Sequence, residues 1–404
     1  MFRIIFFIVL CYQGLFAFLS TQNNYQEQVR VLNSLDIDST FLTDSVFISM
    51  KEDVNRYKTK HFLNVLENGH RFVPVLRKMI KEAGIPDAFL YLAMAESNFA
   101  PTAYSKARAV GLWQFMPYTA GKFGLNIDLY VDERRDPIKS TQAAITYLKY
   151  LHERFGKWYL AAIAYNCGEG RVSWAIKQAG TDDLATLLIK NKKYIPRESR
   201  LYIRKIMMMQ HLATSTDFIV ENDAGYLMNR GSTNTFTKVM VKGGTTLDEI
   251  AESIGVSKKE ISSYNHHLRY GFTPPNDGEY HVYIPYDKQT LFHQNFDNSQ
   301  TKGRFYVHVV NKGDSLYSIG KHYGISYKII KDFNNLKNNV LSINDKLIIP
   351  VVKPKNRVYT IKKGDTIGEI SQKYNVAINT ILKINNKKDS IIVPGEKIVI
   401  PYTY

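Results

Sequence analysis

Chemistry in this chain can start at Glu96. Phe89, Leu92 and Ala93 precede it by seven, four and three positions, so on a helix opened by Pro86-Asp87 and forbidden to continue by Pro101 its carboxylate projects from the core-facing apolar stripe. Burial disfavours the ionised form and raises a carboxyl pKa toward the range where it still donates a proton near neutral pH. The same spacing also fits a buried glutamate paired with an Arg or Lys, or one at a frayed helix end, because structural ion pairs place carboxylates in partly buried positions too. Further strings follow in order: Glu96-Ser97-Asn98-Phe99, Ser105, Gly111-Leu112-Trp113-Gln114-Phe115-Met116-Pro117 and Asp132-Glu133-Arg134-Arg135-Asp136-Pro137. Beyond them come Ala164-Tyr165-Asn166-Cys167-Gly168-Glu169-Gly170-Arg171-Val172 and Tyr194-Ile195-Pro196-Arg197-Glu198-Ser199-Arg200-Leu201-Tyr202.

In this order and spacing the strings resemble the catalytic domain of family 1 lytic murein transglycosylases, a goose-lysozyme-like helical fold. The resemblance implies that Glu96 is the catalytic acid and base, with Ser97 beside it and Ser105 among the substrate-binding residues. It makes Gly111, Leu112 and Gln114 a glycan-lining segment, Tyr165 and Asn166 the opposite wall of the cleft, and Glu198 and Tyr202 a supporting pair on the last helix. Two positions depart from the pattern: Cys167 stands where the family usually has Ala, and Ser199 where it usually has Thr. Both are small, and Cys167 lacks the Cys-His arrangement of a thiol nucleophile.

The chemistry is also legible in the carboxylates. Hydrolytic glycosidases generally use two, yet between Asp87 and Asp128 Glu96 is the only one. A single Glu suffices if the substrate supplies its own nucleophile, as N-acetylmuramic acid can through its C6 hydroxyl, giving a 1,6-anhydro end. Backbone groups of Gly111 to Met116 and the Asn166 amide would then orient the N-acetyl group and stabilise developing charge. Two alternatives stay open: a muramidase-type hydrolase of the same fold, if folding brings Asp132, Asp136 or Glu169 close, and a catalytically silent glycan-binding scaffold. Trp113 and Tyr165 fit core packing as well as a cleft wall.

Residues 306–350 and 357–401 repeat each other without a gap at an offset of 51. Gly313-Asp314-Ser315 matches Gly364-Asp365-Thr366, Asn334-Asn335 matches Asn385-Asn386, and Ile349-Pro350 matches Ile400-Pro401. A fainter copy upstream keeps Asn265 and closes at Tyr283-Ile284-Pro285, but has lost the Gly-Asp turn. Alternation over Tyr306–Val310 predicts a strand, the Gly-Asp turn caps a helix carrying Leu316, Ile319 and Tyr323, Gly324 stops it, Ser326 caps a second helix, and Leu347–Pro350 returns as a strand. These strand-helix-helix-strand units resemble LysM domains, small modules that bind N-acetylglucosamine-containing glycans. The resemblance puts glycan binding on Gly313, Asp314, Ser315, Gly364, Asp365 and Thr366. Polar, Lys-rich residues 287–303 and 351–356 read as linkers.

With 45% hydrophobic and 22% charged residues the chain is expected to fold, and its 404 residues suit several domains rather than one core. Fifty-three Lys and Arg against 37 Asp and Glu give +16, which favours acidic partners. Arg3, the apolar run Ile4–Leu10 and the small residues Gly14, Ala17 and Ser20 predict a secretory signal peptide. Export to the periplasm, with association to peptidoglycan or the outer membrane, follows and counts against nucleic acid. Cys11 is a lipid-acceptor candidate, and hence a route to membrane attachment, ranked below cleavage near Ala17 because Leu10 is not small. No metal or cofactor is expected: the histidines lack paired zinc-hydrolase spacing, and His266-His267 reads as an exposed loop pair. The oligomeric state is left open. The expected architecture is multidomain: signal peptide 1–20, helical extension 21–64, mainly α lysozyme-like catalytic domain 65–225, degenerate LysM-like module 236–286, and small α+β LysM modules at 304–350 and 357–401.

Overall fold

The computed structural model describes residues 25–53, 59–128, 130–222, 235–274, 278–297, 304–323, 325–351, 357–374, 376, 378–387 and 389–400. The signal peptide, Cys11, the helix stop at Gly324, Pro401 and most of the second linker lie outside these residues. Two compact units emerge: one holds the residues up to 238 with 259–269 and 283–290, the other 239–258, 270–282 and 291 onward. Among the described residues no helix is long and apolar enough to cross a membrane.

The first unit is mainly helical. It opens with α1 (25–34), α2 (Ser45–Asp53), α3 (Thr59–Asn68), α4 (Val73–Glu82) and α5 (Ala88–Ser97). After a long loop come α6 (Pro117–Lys122), α7 (Pro137–Phe155), α8 (Trp158–Cys167), α9 (Glu169–Ala179), α10 (Leu184–Leu187), α11 (Arg197–Thr214) and α12 (Thr216–Glu221). The ends follow local chemistry. Asp136 accepts from the Ile138 and Lys139 amides to start α7 with Pro137 in its first turn, and Gly156, at φ +71°, ends it.

The single-stripe expectation for α5 needs correcting. Every residue from Ala88 to Met94 is buried, as is every residue from Tyr159 to Ala164 of α8. Helices apolar on all sides belong inside, and α5 and α8 are wrapped by α4, α7 and α11. Nor does Pro101 end α5: Asn98 and Phe99 both adopt left-handed φ, +53° and +57°, directly after it. Met207, Met208 and Met209 are buried on α11, in keeping with a packing role.

The upstream repeat contributes to this same unit rather than standing wholly apart. Phe236 meets Phe72 at 5.9 Å and Tyr283 at 5.3 Å, and the Arg71 guanidinium lies 4.5 Å above the Tyr264 ring. Tyr283 donates its hydroxyl to Asp136 at 2.9 Å, and the Asp132 amide donates to the His267 carbonyl. His267 is therefore fully buried, not half of an exposed loop pair.

In the second unit, Thr246 and Glu249 form a reciprocal capping box that starts α13 (Leu247–Ile254). After α14 (Lys258–Tyr264), which falls in the first unit from residue 259 on, residues 289–295, expected as linker, form the helix α15 (Gln289–Asn295). Strands β1 (Phe236–Lys242) and β2 (Glu279–Pro285) make one two-stranded sheet. In the next repeat β3 (Arg304–Val309) runs antiparallel to β4 (Lys346–Val351), enclosing α16 (Leu316–Tyr323) and α17 (Tyr327–Phe333). In the last, β5 (Arg357–Thr360) pairs with β6 (Lys397–Ile400) around α18 (Ile367–Tyr374) and α19 (Ile378–Ile384). Pro350 sits inside β4 opposite Phe305, and Val351, expected as linker, pairs with Arg304.

The repeated asparagine has a structural explanation. Asn334 donates to the carbonyls of Ile330 (2.8 Å) and Ile348 (2.7 Å) and accepts from the Ile348 amide (2.7 Å). Asn385 does the same with Ile381 and Val399, and Asn265 with Ile261 and Tyr283. One side chain thus staples the second helix of each repeat to its closing strand. Asn334→Ala strands two strand groups and is expected to cost about 2–3 kcal/mol, a large share of the stability of so small a module. Hydrogen exchange on the full chain should show protection lost across residues 304–351 while 357–400 stays protected.

Candidate active site

Glu96 lies on the last turn of α5, where the chain turns sharply through left-handed Asn98 and Phe99. Its side chain is half-buried, and the Tyr202 hydroxyl of α11 donates to Oε1 at 2.5 Å. Burial dominates and holds the carboxyl above the usual glutamate range, opposed by the Tyr202 bond and the Lys205 charge and reinforced by Glu198. Burial, with the Glu96 charge close by, pushes the Tyr202 and Tyr165 phenols well above their ordinary values, so both stay neutral donors. Lys205, one turn beyond Tyr202, donates to the Ala95 carbonyl at 2.9 Å, and burial pulls its own pKa down.

The loop after α5 is held from several sides. Ser97, buried, donates its hydroxyl to the Leu112 carbonyl at 2.8 Å and contacts that of Ala93 at 3.1 Å. Gly111 has φ +87°, and a Cβ there would lie 1.8 Å from the Arg134 carbonyl oxygen, so no other residue fits. Gln114, also left-handed at φ +48°, folds its amide back to the Gly111 carbonyl at 2.9 Å. Buried Arg134 grips both Asp132 oxygens, at 2.8 and 2.9 Å, and donates to the carbonyls of Arg108 and Phe115. Trp113 is fully buried with its indole N–H on Thr141, and Tyr165 donates to the Trp113 carbonyl at 2.8 Å.

Several expected roles change in kind. Leu112 is fully buried, so its side chain lines no cleft, and the Ser97 hydroxyl is committed to the loop. Ser105 closes a turn by accepting from the Ala109 amide. The amides of Gly111, Gln114 and Phe115 bond to the carbonyls of Ala103, Gly111 and Val110, so these three are not open donors for developing charge. Glu198 is exposed and acts on Glu96 through its field, while Tyr202 makes the contact. The Asn166 Oδ1 accepts from Ser199 at 2.6 Å, which leaves the NH2 as the donor end. Cys167 is a half-buried free thiol whose pKa burial raises, which disfavours thiolate chemistry.

The proposed second carboxylates are occupied elsewhere. Asp132 is locked to Arg134, Asp136 caps α7 and accepts from Tyr283, and Glu169 lies 3.9 Å from Arg154. Sequence reasoning missed Lys205, whose signal was its one-turn spacing from Tyr202. It also missed Tyr147, which stands 5.2 Å from the Tyr165 ring with its phenol pushed up to about 12, chiefly by burial.

In the repeats, Gly313 and Gly364 take φ +94° and +96°. The Asp of each turn closes the turn and the following Ser or Thr caps the helix: Asp314 accepts from the Asn311 amide and Ser315 from the Ser318 amide, Asp365 from Lys362 and Thr366 from Glu369. His308 bonds Asp314 at 2.9 Å where the last repeat uses Tyr359 on Asp365 at 2.8 Å.

The helical unit and the strand-helix-helix-strand repeats after it each match a known domain. Residues 75–187 match the transglycosylase SLT domain, 308–350 and 359–401 the LysM domain, and 235–301 the LysM-like domain of lytic transglycosylase MltD. The chain thus carries an SLT transglycosylase domain followed by LysM-type modules. It is similar to the membrane-bound lytic murein transglycosylase D of Escherichia coli K12, 26% identical over 80% of this chain and 74% of that protein. A stretch covering 24% of the chain is 43% identical to 47% of a putative tributyltin chloride resistance protein of Alteromonas sp. strain M-1. Among solved structures, the 70 kDa soluble lytic transglycosylase Slt70 of Escherichia coli matches 36% of this chain and 24% of its own, at 27% identity and TM-score 0.29.

Two substitutions should move the Glu96 titration in opposite directions. A general acid works only while protonated, so the alkaline limb of kcat/KM follows its pKa. Tyr202→Phe removes a bond that lowers that pKa and should shift the limb to higher pH, with activity down about ten- to a hundredfold. Glu198→Gln removes a repelling charge and should shift it to lower pH. Gly111→Ala should give little folded protein, as read by circular dichroism and protease resistance.

Proposed function

We propose that Glu96 acts in turn as acid and base in a lytic transglycosylase that cleaves the β-1,4 bond between N-acetylmuramic acid and N-acetylglucosamine in peptidoglycan. The protonated carboxyl gives its proton to the glycosidic oxygen as that bond to C1 breaks. The resulting carboxylate takes the proton of the muramic C6 hydroxyl as its oxygen bonds to C1. A 1,6-anhydro end forms, no water is consumed, and Glu96 returns to its protonated state.

The observation that carries this reading is the carboxyl's setting: it is desolvated and bonded to Tyr202, Asp132 and Asp136 are engaged in structural contacts, and exposed Glu198 acts on it through its field. Burial favours the acid, and the Tyr202 hydroxyl and Lys205 charge steady the carboxylate once the proton has left. Asn166, with Tyr165 beside it, would position the N-acetyl group, Gln114 would line the glycan path, and Gly111, Leu112, Ser97 and Ser105 would shape the loop it runs along. The catalytic domain in this reading spans 65–225.

The LysM modules make peptidoglycan the partner and associate the chain with the cell wall. Within the proposal, the turns at Gly313–Ser315 and Gly364–Thr366 present the glycan-binding edge. Export to the periplasm, with attachment to the outer membrane through Cys11 as the variant form, is supported by Arg3 and the apolar run Ile4–Leu10.

Mass spectrometry of sugars released from peptidoglycan sacculi tests the reading. Products lighter than reducing-end muropeptides by one water are expected, with Glu96→Gln reducing release at least a hundredfold while still binding sacculi. Ordinary reducing ends would mean a hydrolase, and binding without products from the unmodified chain a scaffold. Because the raised pKa means the folded state holds the proton more tightly than the unfolded chain, stability drains as pH rises through that interval. Glu96→Gln should therefore raise the thermal midpoint at pH 7 more than at pH 4.

A further inference from the structure

We propose that residues 35–44 brace both helices that carry the active site, and that Asp44 is a positioning residue for Glu96, acting through Arg204 and Tyr202. This rests on the function proposed above and adds a role to a segment that the sequence presents only as a helical extension.

Tyr202 and Arg204 are two residues apart on α11, hence about 200° around it and on opposite faces. Tyr202 faces Glu96. Arg204, buried, presents its planar fork to Asp44: Nε to Oδ1 at 2.8 Å and Nη2 to Oδ2 at 2.7 Å. Its guanidinium also stands 5.5 Å from the Phe41 ring, and Nη1 donates to the Arg200 carbonyl at 2.8 Å. A bidentate pair fixes rotation as well as distance, so it sets the roll of α11 and with it the direction of the Tyr202 hydroxyl. Asp44 is itself held, since its Oδ1 accepts from the Phe47 amide at the start of α2.

The same segment grips the second helix. Asp36, in left-handed φ of +61°, accepts the Trp158 amide on Oδ2 at 2.8 Å, and the Leu35 carbonyl accepts from Tyr159 at 3.1 Å. These bonds satisfy the opening amides of α8, whose far end carries Tyr165 and Asn166. The transglycosylase match over 75–187 includes neither this segment nor α11, so the hydroxyl on the catalytic carboxyl depends on two stretches of chain outside it. Chemistry of this kind is sensitive to small displacements, and a misplacement of about 1 Å can cost on the order of a hundredfold in rate.

The test uses the full chain on soluble glycan strands across pH. Asp44→Asn is expected to lower kcat about tenfold with KM within about twofold, and to move the alkaline limb of kcat/KM upward, as Tyr202→Phe does. In the Tyr202→Phe background Asp44→Asn should move it no further. Asp44→Leu combined with Arg204→Met leaves no buried charge stranded, so it keeps the fold measurable, and should give the same shift. A limb that stays put in these folded variants, or shifts that add to that of Tyr202→Phe, would overturn the proposal. The Glu96 titration can also be read without turnover, from the pH dependence of each variant's thermal midpoint against its Glu96→Gln counterpart. A wild-type chain that releases no anhydro products would thus defeat the proposed function and leave this comparison intact.

Discussion

The hydrogen bond from Tyr202 to Glu96 is the contact around which the catalytic unit is arranged. In the proposed reaction this carboxyl gives a proton and then takes one, which asks that neither state be strongly preferred. Burial alone would freeze it as the acid; an ion pair alone would freeze it as the base. Here desolvation pushes one way, while a neutral hydroxyl donor and a half-buried lysine push the other. Because the donor sits on α11 and the acceptor on α5, more than a hundred residues earlier in the chain, the balance exists only if both helices are held to within fractions of an ångström.

That requirement accounts for much of the surrounding polar architecture. Ser97, Arg134, Thr141 and Tyr165 each bond to the loop that follows α5 or to its side chains, and each does so from a different element. The loop is therefore part of the scaffold as well as a surface. Arg134 shows how such a buried charge is tolerated: both carboxylate oxygens of Asp132 and two backbone carbonyls surround it, so the cost of removing it from water is offset by nearly complete hydrogen bonding.

What could be read from the sequence divides along physical lines. The repeats were legible because they rest on local features, a glycine able to take positive φ, an asparagine and a proline after the closing apolar run, that recur at fixed offsets. Glu96 was legible as a solitary carboxylate between Asp87 and Asp128. The face it occupies was not, because a helix buried on all sides has no stripe, and spacing arguments need a polar side to measure from. Buried His267 was missed because its environment is supplied by residues well over a hundred positions earlier. The helix over 289–295 was hidden by polar composition, which describes exposure rather than backbone conformation. Lys205 and the Arg204–Asp44 pair depend on which side of α11 meets which neighbour, a tertiary fact that no local pattern contains.

The asparagine staple also bears on the order in which the chain acquires its structure. In each LysM repeat it joins residues 14 positions apart, and in the upstream repeat 18. Contacts this short in sequence close quickly, since little loop entropy opposes them. Each LysM repeat can therefore lock as soon as its own last strand is available, whereas the Tyr202–Glu96 contact must wait for a separation of 106 residues. Even the outermost strand pair of the first C-terminal repeat, Arg304 with Val351, closes less than half the chain length that separates Glu96 from Tyr202, so loop entropy opposes assembly of the cleft more than that of the repeat.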